Sequence, residues 1–183
     1  GELEDFLDAH AAYVAQRCLY EYARALAGMS WQPLMEEEVF RTAMERSRWL
    51  AFPLALGLVG EVVEGQVRLA VPGRATAVLA GLAAAAGRVV ARHAPPPVGE
   101  PAAWAAAALA LQRHLAALQA TPPLPVKDVA KPWAEPMLDL VPIHARLKGR
   151  DSYMVQNNLT VSLIRVHEVF AQRADRPALA RLL

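Results

Sequence analysis

The sequence is poor in cysteine and lysine and has no excess of charge of either sign. Cys18 is its single cysteine, which excludes an intramolecular disulfide framework, a cysteine-rich zinc site and a CxxC redox motif. That residue reads as a small apolar member of a helix. Basic and acidic side chains number 19 and 18, for a formal net charge of +1. So close a balance offers no general attraction to nucleic acid, a membrane surface or acidic substrates. Lys127, Lys131 and Lys148 are the only lysines. Arginine supplies the remaining positive charge, and together with the abundant alanine this composition points to a bacterial gene of high GC content.

The motifs that announce chemistry are also missing. No Glu-x-x-His pair occurs, so a di-iron bundle site is excluded, and His-Glu-x-x-His is equally absent. The five histidines, His10, His93, His114, His144 and His167, fall one to a segment, and no metal or other cofactor is expected. There is no Gly-x-x-x-x-Gly-Lys-Ser/Thr loop, and Gly57, Gly60, Gly65, Gly81 and Gly87 lie in apolar stretches with no Rossmann strand ahead of them. No Gly-x-Ser-x-Gly elbow exists. Ser30, Ser47, Ser152 and Ser162 read as caps or helix-surface residues, and Glu36-Glu37-Glu38 as a solvated run at a helix start.

Long hydrophobic runs are scarce. The most apolar, Trp49 to Val63, is interrupted by Pro53, Gly57 and Gly60 and falls short of the ~18 to 20 residues that span a bilayer. The first five residues, Gly1-Glu2-Leu3-Glu4-Asp5, are acidic where a secretory signal is basic. The expectation is a cytoplasmic protein without a transmembrane segment.

What is present is helical periodicity. With 55% hydrophobic residues the chain can bury enough surface to offset the entropy of ordering. Leu3, Phe6, Leu7, His10, Val14, Cys18 and Tyr22 recur at intervals of three and four, predicting a first helix that Gly28 ends. Ser30 is expected to cap a second, with Pro33 in its first turn, that Pro53 kinks or ends. Residues 58–71 admit two readings. One is continued helix; the other is a small β-hairpin, because Val67, Leu69 and Val71 alternate with Arg68 and Ala70 before Pro72-Gly73. Helices follow over 74–93 and 101–120, then two short ones near 133–140 and 142–148, a long one over 152–173, and a last turn opened by Asp175-Arg176-Pro177. Proline-rich connectors near 94–101 and 121–142 join these pieces. The fold class is mainly α: a single-domain bundle of about six helices, its first and last long helices packed together in the core.

Two groups of residues exceed what such a bundle requires. Tyr13, Arg17, Tyr20 and Arg24 lie on helix one opposite its apolar stripe, and tyrosine and arginine are enriched at protein interfaces. Alternatively, that helix is buried on two sides. The second group is Trp133, His144, Arg146 and Arg150 with Asn157 and Asn158. Asparagines inside a helix cost propensity. They either bond the backbone broken by Pro136 and Pro142 or face a ligand or partner. The leading reading is a non-catalytic interaction module, an adaptor, assembly factor or regulator that binds another protein or self-associates into an oligomer through helix faces. A second is a binding protein for an apolar small molecule or lipid, with its pocket between the alanine-rich helices and Trp49–Val63. A third is an enzyme without a recognisable motif, since catalytic groups need only meet in space.

Overall fold

The computed structural model describes residues 1–93, 101–148 and 152–183. Among them the chain is mainly α-helical, with ten helices: α1 (Glu2–Ala27), α2 (Trp31–Glu36), α3 (Glu38–Ala70), α4 (Ala75–Ala91), α5 (Pro101–Ala117), α6 (Val126–Val129), α7 (Ala134–Leu140), α8 (Ala145–Lys148), α9 (Ser152–Arg173) and α10 (Arg176–Leu182). They form a bundle around α3.

Helix α3 occupies the centre because its sequence leaves it no wet side. Every residue from Ala55 to Val67 is buried, and α1, α4, α5, α7, α9 and α10 all pack against it. A helix enclosed on every side is apolar all round and shows no amphipathic period, which is why the hairpin reading of 58–71 looked equally good. The hairpin is not formed: residues 58–70 are the C-terminal half of α3. The spacing of four between Glu64 and Arg68, acid before base, is a helix-specific pairing, and the two side chains do meet. Pro53 does not end the helix either. It lies inside α3 and is buried, so the one backbone bond it removes is outweighed by packing on both sides of it.

The second helix starts differently from the expectation. Ser30 makes no side-chain cap, and the chain breaks at Glu37, whose extended backbone (ψ 123°) separates α2 from α3. Arg41 closes the break by donating to the carbonyls of Met35 and Glu36. Glu37 thus becomes the N-cap of α3 and Glu38 its first residue, where a carboxylate complements the helix dipole.

Helices α1 and α9 run antiparallel, with Phe6 against Phe170 (ring centroids 5.3 Å apart) and, toward the other end, the Tyr22 hydroxyl donating to the Lys148 carbonyl at 2.9 Å. Their packing is as expected, though α3 and not this pair is the core axis. Glycine lets α5 approach α3 closely. A Cβ on Gly57 would stand 3.3 Å from the His114 ring, and one on Gly60 would stand 3.2 Å from Leu115. Asp175 caps α10 by accepting from the Ala178 amide at 2.9 Å, with Pro177 in the first turn.

By length and composition alone, two helical stretches could cross a membrane, Glu38–Ala70 and Pro72–Ala91. Sequence inspection missed the first because it took Pro53 as a terminus. In this fold 83% of its most apolar window is enclosed by protein, against 33% for the second.

Candidate functional site

Helix α9 carries two apolar stripes on opposite sides. One, Val155, Leu159, Leu163, Val166 and Phe170, is buried against the bundle. The other, Tyr153, Met154 and Val161, is 70%, 43% and 53% exposed, with Asn157 exposed among them. At 100° per residue these four positions share one face. The remaining large exposed apolar side chains among the described residues are scattered over turns, helix ends and other helices, whereas α9 alone gathers three.

The exposed stripe continues toward α1. Arg165, one turn beyond Val161, lies over the Tyr13 ring at 5.9 Å, and Arg17 approaches the same ring at 5.8 Å. Arg17 also donates to the Tyr13 hydroxyl at 2.6 Å and to Glu21 at 2.9 Å. These bonds, the one to Tyr13 foremost, raise its affinity for the proton. His10, its ring tilted against Phe6 at 4.2 Å, has its pKa lowered, first by burial and then by Arg173 and Arg165. The result is an apolar strip with asparagine at its centre and arginine along its margin.

The two residue groups anticipated from sequence are reorganised. Tyr13, Arg17, Asn157 and Asn158 border this one surface. Tyr20 is half-buried, edge-on to Trp31 at 6.1 Å, so part of this face of α1 is taken up by internal packing. Arg24 is exposed. Asn157 and Asn158 do not repair the chain broken by the prolines; no such bond occurs among the described residues. Backbone turns do that work, with Val141 donating to Leu138 and Ile143 to Val141, while Lys148 Nζ donates to the Asp139 carbonyl at 3.0 Å. Trp133 turns inward, its ring perpendicular to that of His114 at 4.6 Å. His144 is exposed and accepts from the Arg146 amide at 3.2 Å, a local turn. Arg150 lies outside the described residues.

Sequence reasoning passed over the polar groups inside α3. Glu61 is buried and its Oε2 lies 2.9 Å from Nε2 of His114 on α5. Glu64 is buried with Oε1 2.8 Å from Arg68 Nε. The Glu64–Arg68 contact is an ion pair without a well-aligned hydrogen bond, and His114 Nε2 likewise makes no hydrogen bond of good geometry. Burial raises the Glu64 pKa, Arg68 opposes that rise, and Glu61 adds to it. Arg68 also donates to the carbonyls of Leu118 and Thr121, at 3.2 and 2.9 Å. It therefore fastens the end of α5 to α3. The available signal was three charged residues within an otherwise apolar stretch. No group of three or more His, Cys, Asp or Glu side chains among the described residues is placed to hold a metal ion.

Compared with protein-family models, curated proteins and solved structures, the chain matches none.

Proposed function

We propose that this protein is a docking module that binds another protein through the outer face of α9 and the adjoining edge of α1. The observation that carries the reading is the second apolar stripe of α9, Tyr153, Met154 and Val161, left exposed by a fold that encloses its other stripe. Aromatic and aliphatic groups clustered on one helix face, with arginine at the margin, are the composition of an interface core and rim. The arginines also indicate the partner's chemistry. Arg165 and Arg24 have no carboxylate partner among the described residues, and their charge favours an amphipathic helix with acidic residues flanking its apolar side. Such a docking role is that of an adaptor or assembly factor.

The test is a photocrosslinking residue at Val161 in the full chain within its native cell, with a second at exposed Thr76 of α4 as control. The expected result is a discrete adduct from position 161 that Arg24→Glu with Tyr153→Ala abolishes while the circular dichroism spectrum is unchanged. Equal adducts from both positions, or an adduct insensitive to the double variant, would overturn the reading. An adduct of twice the chain mass would assign the face to self-association and refute the foreign helix.

A further inference from the structure

A small cleft opens between the middle of α1, the Trp49 turn of α3 and His93, just beyond α4. Buried Ala15 lies at its floor, Trp49, Phe52 and His93 form its walls, and exposed Ala12 and half-buried Arg48 lie at its mouth. Its volume is about 110 Å³, somewhat below the ~150 Å³ of an apolar cavity that accepts benzene. One side is open, so a ring substituent has room in the mouth.

The walls pack against one another. The His93 ring stands edge-on to Trp49 at 5.8 Å and to Phe52 at 4.8 Å, and its Nε2 is held by Asp8 at 2.9 Å. Asp8 does not present a bare charge to the cleft, since Arg92 lies 3.6 Å from its other oxygen. Trp49 is braced from behind by Trp104, at 5.9 Å. At the rim, the Arg48 guanidinium lies 5.9 Å from the Trp49 ring centre and has no carboxylate partner among the described residues. An aromatic slot thus ends at a half-buried cation.

We infer that this cleft binds a single-ring aromatic carboxylate, with the ring between Trp49, Phe52 and His93 over the alanine floor and the carboxylate on Arg48. The volume limits the body to one ring. Three aromatic walls favour a flat π-system, which gains edge-to-face contacts an aliphatic body lacks. The guanidinium disfavours cations and offers paired N–H donors matched to a carboxylate. The assignment shares no residue with the α9 face and stands independently of the docking reading.

Benzoate, toluene and acetate are the probes, added to the full chain and followed by amide and indole NMR, with Trp49→Phe assigning the Trp49 indole. Benzoate is expected to shift the Trp49 indole saturably, more tightly than toluene, with acetate inert. Arg48→Gln should weaken benzoate about tenfold, the scale of a charge-assisted contact, and leave toluene unchanged. Ala12→Leu, at an exposed position in the mouth, should abolish both responses. Toluene binding as tightly as benzoate, or an unaltered benzoate response in Arg48→Gln, would overturn the carboxylate assignment. Displacement of benzoate by acetate would overturn recognition of the ring, and no saturable shift would overturn the site. Arg48→Gln changes a rim side chain and keeps the test decisive if Ala12→Leu perturbs folding.

Discussion

Arg68 reaches back one helical turn to lie 2.8 Å from Glu64, a carboxylate 1% exposed in the most enclosed stretch of the chain. Breaking a buried pair leaves a charge with no water and no partner, which costs more than the pair contributes when intact. Arg68→Met is therefore expected to lower stability by about 3 kcal/mol at neutral pH. Burial raises the Glu64 pKa above its ordinary value, so its ionisation opposes folding once pH exceeds about 4.5. The loss should accordingly shrink toward pH 4, where the carboxyl takes up a proton. Glu64→Gln should rescue Arg68→Met at pH 7. Urea titrations of the three variants at both pH values measure this, and a pH-independent loss would contradict it.

Glu4 on α1 faces the opposite case. Arg88 of α4 donates to it at 2.6 and 2.8 Å, and that contact foremost lowers its pKa to about 2. A carboxylate with a depressed folded pKa contributes stability that is present above about pH 4.5 and lost as pH falls toward 2. Glu4→Gln should flatten the acid limb of the stability profile in that window. Arg88 is 60% exposed, so the neutral-pH loss should stay below about 1 kcal/mol. A variant whose acid unfolding midpoint equals that of wild type would refute the role.

Cys18 is 1% exposed, and burial first, then Glu21, pushes its thiol pKa up to about 12. Because the thiolate is the reactive species, Cys18 should resist a disulfide reagent at pH 8 in the native protein and react promptly in guanidinium. Stoichiometric labelling without denaturant would show that α1 opens far more readily than its packing implies.

The contact of α3 with α5 depends on Gly60, where an added Cβ would meet Leu115 at 3.2 Å. Gly60→Ala should be nearly neutral, since the helix gains roughly 1 kcal/mol of propensity while Leu115 gives by a few tenths of an ångström. Gly60→Val has no such latitude and is expected to cost about 2 kcal/mol through overpacking. Thermal unfolding of the pair separates the two effects.

The fold was legible wherever one side of a helix meets water. The apolar spacing of α1 and of residues 152–173 marks their helices, and the prolines and Gly28 mark their ends, because period and punctuation are local properties of the chain. The two stripes of α9 also follow from the spacing of its apolar residues, but which of them the bundle covers does not. That depended on α1 and α3 both arriving on the Leu159–Leu163 side.

Sequence alone determined a mainly helical chain without disulfide, nucleotide or histidine–carboxylate metal motifs, since composition, spacing and turn chemistry suffice for those. Tertiary structure decided the rest. It enclosed 55–67 on every side and so made helix of a stretch whose pattern also suited a hairpin. It drew Trp133 inward onto His114, brought Asp8 to His93 across more than eighty residues, and left Tyr153, Met154 and Val161 facing outward. Those outcomes follow from which helices become neighbours, and that choice minimises exposed apolar area over the whole chain and has no local signature.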